Sequence, residues 1–178
     1  AWDREYELLV AVKRYSATAY EAIKEPSCFR AAEPHPQVLR LPDDFVDGSD
    51  MLISFEYMEW SLRFVWKRAH IHLKLEVAER CVDQILRGVA HVHACVIAHR
   101  DTIVGNMLIS AKGNAFQVDD VGIAHSSASF ALDRLLATLW TRALEVAYAR
   151  CGGSKPPAFQ SVDSTIDPWA SASSSCKY

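Results

Sequence analysis

His99-Arg100-Asp101-Thr102-Ile103-Val104-Gly105-Asn106 is the stretch on which the reading of this chain turns. It sets one carboxylate, Asp101, five positions before one amide, Asn106, and the short apolar strand Met107-Leu108-Ile109 follows directly. Lys112-Gly113-Asn114 marks a turn. A second short strand, Ala115-Phe116-Gln117-Val118, then runs into Asp119-Asp120-Val121-Gly122. Taken alone, Asp101 would close a turn and His99 would fill a core. That plain reading has to explain the acid–amide spacing, the strand behind it and the later Asp-x-Gly together.

Outward from this hairpin the chain divides into a strand-rich first third and a longer helical part. Leu8-Leu9-Val10-Ala11-Val12 reads as a strand ending at Lys13. Ala17 to Lys24 reads as a helix that Pro26 should disturb or end. Val38 to Leu41 and Met51 to Tyr57 read as strands, with the turn Asp47-Gly48-Ser49-Asp50 between them. From Leu73 the spacing of Val77, Cys81, Ile85, Val89 and Val92 predicts a long helix with one buried face. Leu132 to Arg150 has no single pattern, although Leu144 to Tyr148 suits a helical turn or two. Ser173-Ser174-Ser175 reads as a frayed tail. The fold class is α+β.

Composition excludes several functions. A chain of 178 residues suits one domain, or two small lobes, and buries roughly 70% of its unfolded surface. A net charge of −3 argues against a nucleic-acid footprint, and Lys67, Arg68 and His70 form only a small basic cluster at a solvated helix end. The 5 cysteines lack any Cys-x-x-Cys pair, so neither a zinc site nor a disulfide framework is indicated. No apolar run reaches about 18 residues and no signal-peptide pattern opens the chain. The expectation is an intracellular protein, in cytoplasm or nucleus, without a membrane segment.

His99-Arg100-Asp101 with Asn106, followed by Asp120-Val121-Gly122, resembles the catalytic and metal-binding loops of protein kinases. Other segments follow in the order that resemblance requires. Val10-Ala11-Val12-Lys13 resembles the strand carrying the ATP-binding lysine, and Ala22-Ile23-Lys24-Glu25 the regulatory helix whose glutamate pairs with it. Phe55-Glu56-Tyr57-Met58 looks like the hinge, with Phe55 as gatekeeper and the backbone of Glu56 and Met58 facing adenine. Ile85 to His93 looks like the helix before the catalytic loop. Ala137-Thr138-Leu139-Trp140-Thr141 resembles the substrate-facing loop, and Ala143-Leu144-Glu145 the close of the activation segment. Ile166-Asp167-Pro168-Trp169-Ala170 resembles the start of the central helix of the large lobe. These motifs point to the cyclin-dependent branch of Ser/Thr kinases.

The resemblance implies an incomplete two-lobed fold, with residues 1–58 as small lobe and hinge, 59–170 as large lobe and 171–178 as tail. It implies ATP and Mg²⁺ as cofactors, a protein substrate, and a cyclin partner at Ala22–Glu25. Asp101 would be the base, with Arg100 and Thr138 beside it; Lys13 and Glu25 would hold ATP; Asn106 and Asp120 would hold the metal. Whether Asp119 or Asp120 faces the metal is open, and Val121-Gly122 favours Asp120.

Departures point to weak or absent transfer. No glycine precedes Gly48, Ile103 stands where the family has a lysine, Ser61 replaces an acid, and Val121 replaces an aromatic. A pseudokinase acting as a binding module, or a non-functional fragment, are the alternatives. Asp133 occupies the place of that family's activating phosphothreonine; it is read either as a permanent charge for Arg100 or as a plain solvated loop aspartate, with Ser127 and Ser129 as the phosphosites nearby.

Overall fold

The computed structural model describes residues 1–4, 7–69, 74–121, 125–126 and 167. Strands β1 (Trp2–Asp3), β2 (Leu8–Ser16), β3 (Asp43–Asp47) and β4 (Asp50–Glu56) form one antiparallel sheet in the order β1-β2-β4-β3. Strand β2 runs past Lys13 to Ser16, because its pairing with β4 continues from Val10↔Glu56 to Ser16↔Asp50. The predicted turn is present. Asp47 pairs with Asp50 across Gly48-Ser49, and Gly48 takes φ 60°, which favours glycine at the first central position of a tight hairpin.

Two sequence expectations are corrected here. Helix α1 spans Tyr20–Ala32 and passes straight through Pro26. Ala22, Glu25, Pro26, Phe29 and Ala32 recur at helical spacing and are all buried, so the packing of that face outweighs the hydrogen bond the proline cannot make. The second correction concerns Val38 to Leu41, which form no strand beyond a single bridge from Val38 to Val118. Their apolar character reflects burial of Val38, Leu39 and Leu41 in the core, and Asp43–Asp47 supplies the hairpin arm instead. A short apolar run alone does not distinguish a paired strand from a buried connector.

After β4 the chain crosses to the second part of the molecule through Tyr57, Met58 and Glu59. It continues as β5 (Trp60–Ser61), helix α2 (Leu62–Ala69), helix α3 (Leu75–Ala94) and β6 (Ile97–Ala98). A 3-10 turn over Val104–Asn106 leads into β7 (Met107–Ile109) and β8 (Phe116–Val118), and β9 (His125–Ser126) pairs with β6. Helix α3 is the long helix the periodicity predicts, and it buries Cys81, Ile85, Gly88, Val89 and Val92. A Cβ on Gly88 would lie 2.6 Å from the Gln37 carbonyl oxygen, so α3 and the connector after α1 approach as closely as they do only because this residue is glycine.

Two apolar clusters hold the parts together. Phe29, Ile53, Phe55, Val92 and Val121 belong to one, which joins α1, the sheet and α3; Leu62, Cys81, Ile85, Val104 and Phe116 belong to the other, under the β7–β8 hairpin. Backbone bonds from Leu39 N–H to Val118 and from Val118 N–H to Gln37 couple the connector to β8, at 3.0 and 2.9 Å. Residues bearing the candidate chemistry therefore sit on elements fixed from both sides.

Candidate active site

Lys13 is the centre of the first constellation. Its ammonium donates to Glu25 Oε1 at 2.8 Å and to Asp120 Oδ1 at 2.9 Å, tying β2 to α1 and to the end of β8. Tyr15 lies two residues further along β2, on the same side of the strand, and its hydroxyl donates to Glu25 Oε2 at 2.7 Å. Both oxygens of the fully buried Glu25 carboxylate are thus satisfied. Burial alone would pull the Lys13 pKa down, but Glu25 and Asp120 override it and hold the ammonium well above the usual lysine range. Burial pushes the Glu25 carboxyl up, and Lys13 and Tyr15 pull it only partly back. Burial, with the bond to Glu25, pushes the Tyr15 phenol up to about 12.

The second constellation is the loop from His99 to Asn106. Asn106 Nδ2 donates to both the Asp101 carbonyl and its Oδ2, each at 2.9 Å, which closes the loop on itself and aims the Asp101 carboxylate. The Asn106 carbonyl accepts the Asp119 N–H at 2.9 Å, so both constellations share a backbone link. Fully buried His99 has its tautomer set by its partners: Nε2–H donates to the Asp119 carbonyl at 2.8 Å, and Nδ1 accepts the Asp101 N–H at 3.3 Å.

Two non-glycine residues here adopt the left-handed region, Arg100 at φ 70° and Asp120 at φ 59°. Such a conformation costs roughly 1–2 kcal/mol per residue and persists only where neighbours impose it. Lys13 constrains Asp120. Asp167 constrains Arg100: its Oδ1 accepts the Arg100 N–H at 2.6 Å, and its Oδ2 accepts the His99 N–H at 2.8 Å and His93 Nε2 at 2.7 Å. The Asp167 carbonyl also accepts the Thr102 hydroxyl at 2.7 Å. Asp167 is wholly buried, and it is the residue that the motif reading undervalues, placing it only at the start of a helix.

Ser61 has a different task from the one its position suggested. Its Oγ accepts the Phe64 N–H at 3.2 Å and caps helix α2. Serine directly before a run of helix formers was the available signal for that helix, as Lys13-x-Tyr15 was for the second donor on Glu25.

The remaining candidates fall around this core. Phe55 is buried and stacks edge-on to Phe29 with ring centroids 5.0 Å apart. The Glu56 N–H is bonded to the Arg40 carbonyl at 3.0 Å, so that donor is taken, while Met58 packs against the first cluster. Asp120, not Asp119, meets Lys13; the Asp119 carboxyl is buried, which pushes its pKa up. Thr138, Asp133, Ser127, Ser129 and Glu145 lie outside the described residues.

The donor set fits a hard divalent cation with a nucleotide phosphate. With Asn106 Nδ2 turned onto Asp101, its Oδ1 is left on the other side of the amide, and Asp120 directly follows Asp119, whose N–H the Asn106 carbonyl accepts. Carboxylate and amide oxygens are the ligands Mg²⁺ takes, together with substrate phosphates. Lys13 supplies a fixed positive charge at the same place.

The protein kinase domain family matches residues 1–173. Cyclin-dependent kinase 20 of Danio rerio is 31% identical over 154 residues, covering 84% of this chain and 42% of that protein. The Homo sapiens protein of that name is 28% identical over 171 residues, covering 91% and 46%. Serine/threonine-protein kinase ssn3 of Aspergillus terreus is 26% identical over 156 residues, covering 81% and 34%. This chain therefore spans under half the length of these relatives. Among solved structures, the yeast RNA Pol II CTD kinase CTDK-1 complex contains a chain that superimposes with a TM-score of 0.79 at 23% identity, over 96% of this chain and 54% of that one.

Proposed function

The chain belongs to the protein kinase domain family, in its cyclin-dependent-kinase-like Ser/Thr branch, and from that premise we propose that it binds ATP with Mg²⁺ and transfers phosphate slowly to a protein Ser/Thr hydroxyl. The supporting observation is Lys13 held at 2.8 and 2.9 Å between Glu25 and Asp120, which ties the sheet and α1 to the candidate metal-binding strand end. In this reading Asp101 orients the acceptor hydroxyl and takes its proton, and Asn106 fixes the direction of that carboxylate. Lys13 would position the nucleotide phosphates, and Asp120 with Asn106 Oδ1 would hold the metal. The metal–nucleotide group supplies neutralisation of the charge on the transferring phosphoryl.

Slow transfer follows from Ile103. Two positions after Asp101, an apolar side chain stands where a cationic donor to the phosphoryl group would serve. Absence of one preorganised donor costs about 10²–10³ in rate. The same observation favours a second reading, a nucleotide-binding pseudokinase. A phosphotransfer assay on a generic Ser/Thr protein substrate, run on the parent, Asp101→Asn and Ile103→Lys, separates the two. Slow incorporation abolished by Asp101→Asn and raised by Ile103→Lys supports the kinase. No incorporation by parent or Ile103→Lys, with nucleotide still bound, supports the pseudokinase.

A cyclin-type partner at α1 belongs to this proposal in altered form. Ala22 and Glu25 are fully buried, so the partner would contact Ile23, which is 68% exposed. Loss of co-purification with a cyclin on Ile23→Asp would support that contact.

A further inference from the structure

Helix α2 packs on the 3-10 turn of the catalytic loop, and its sequence Leu62–Ala69 carries Arg63, Lys67 and Arg68 without a single acid. In a chain of net charge −3 this is a local excess of positive charge beside the reacting groups. Arg63 and Lys67 are four residues apart on the helix, which sets them on one face, and both are exposed. Neither forms an ion pair or a side-chain hydrogen bond among the described residues.

Arg63 reaches into the catalytic loop. Its Cδ lies 3.8 Å from where a Cβ on Gly105 would stand, and Ile103 Cδ1 lies 3.5 Å from the same point. Gly105 immediately precedes Asn106, whose amide holds the Asp101 carboxylate. At this edge Ile103 carries no charge, Gly105 no side chain, and Ser61 a hydroxyl engaged in capping. The Arg63 side chain thus borders the Asp101 loop without a compensating carboxylate on the helix that carries it.

We propose that Arg63, supported by Lys67, is a specificity element that selects phosphoacceptor peptides with acidic side chains flanking the hydroxyl. The proposal deepens the kinase reading and rests on it for the position of the acceptor. A planar guanidinium receives a carboxylate through parallel N–H donors, and a lysine one turn along adds charge without directional demand. Arginine-flanked peptides meet repulsion from the same face.

The test measures binding, so that it does not depend on turnover. Fluorescein-labelled serine peptides flanked by Glu, Ala or Arg are titrated into the purified full chain at low salt, with fluorescence anisotropy as readout. The Glu peptide is expected to bind about tenfold tighter than the Ala peptide, from two exposed charge contacts of up to about fivefold each. Arg63→Glu/Lys67→Glu should invert the order of Glu and Arg peptides. Gly105→Glu gives an independent check: a Cβ there meets only ordinary contact distances, one of them to Arg63 Cδ, and the new carboxylate should cancel the acidic preference. Equal affinity for Glu and Ala peptides, or a Glu preference unchanged in both variants, overturns the proposal. A Glu preference that responds to the variants upholds it even where no phosphate is transferred, an outcome that would count against the kinase reading alone.

Discussion

Replacing Asp167 with alanine should damage the loop from His99 to Asn106. Its carboxylate accepts the His99 and Arg100 backbone N–H groups and His93 Nε2, all within 2.8 Å, and it is fully sealed from water. A buried donor left without a partner costs about 1–3 kcal/mol, and bonds to a charged acceptor stand at the upper end. Two backbone donors orphaned together give roughly 3–5 kcal/mol, against a typical total stability of ~5–15 kcal/mol. The left-handed Arg100 would also lose the bond that imposes its conformation. Asp167→Asn keeps one carbonyl acceptor and should cost about half as much. Urea denaturation followed by tryptophan fluorescence gives the stability change. Amide hydrogen exchange at His99 and Arg100 localises it. A loss below about 0.5 kcal/mol for Asp167→Ala, with both amides as protected as in the parent, would refute the reasoning.

Other outcomes follow from the same geometry. Gly88→Ala should destabilise by about 1–3 kcal/mol in urea denaturation, because its Cβ would meet the Gln37 carbonyl at 2.6 Å and backbone must move. Asp101→Asn and Asp120→Asn should each abolish phosphotransfer, whereas Asp119→Asn should leave part of it, since Asp120 is the acid facing Lys13. Lys13 and Tyr15 both have folded pKa values above their unfolded ones, so their contribution is complete below about pH 10 and is lost as pH rises further. Thermal melts between pH 8 and 12 should therefore fall more steeply above about pH 10 in the parent than in Tyr15→Phe.

Much of this arrangement was legible in the sequence, and the misses have physical causes. Helix α3 stood out because its buried face repeats over twenty residues, and the Gly48 hairpin because glycine marks the position that needs φ > 0. The family resemblance singles out Lys13, Glu25, Asp101, Asn106 and Asp120, and the structure joins Lys13 to Glu25 and Asp120, and Asn106 to Asp101. Pro26 misled because its local preference against helix competes with burial of Ala22, Glu25 and Phe29, a tertiary effect no window of sequence contains. Val38 to Leu41 misled for the converse reason, a core connector that has the composition of a strand. Ser61 stands at a motif position that calls for an acid, and its hydrogen bond to Phe64 N–H makes it a helix cap. The importance of Asp167 comes from contacts 67 and 68 positions away in the chain, to Arg100 and His99.

Thermal denaturation of the purified chain with Mg·ATP tests most directly whether Lys13, Asn106 and Asp120 form a nucleotide site. At about 100 times its Kd the ligand should stabilise the fold by about 2.7 kcal/mol, a Tm rise of roughly 5–10 °C for a domain of this size. The rise should require Mg²⁺ and should be largely lost in Lys13→Met and in Asp120→Asn. No rise at millimolar Mg·ATP, or an equal rise in both variants, would contradict the assignment of these residues to a nucleotide–metal site.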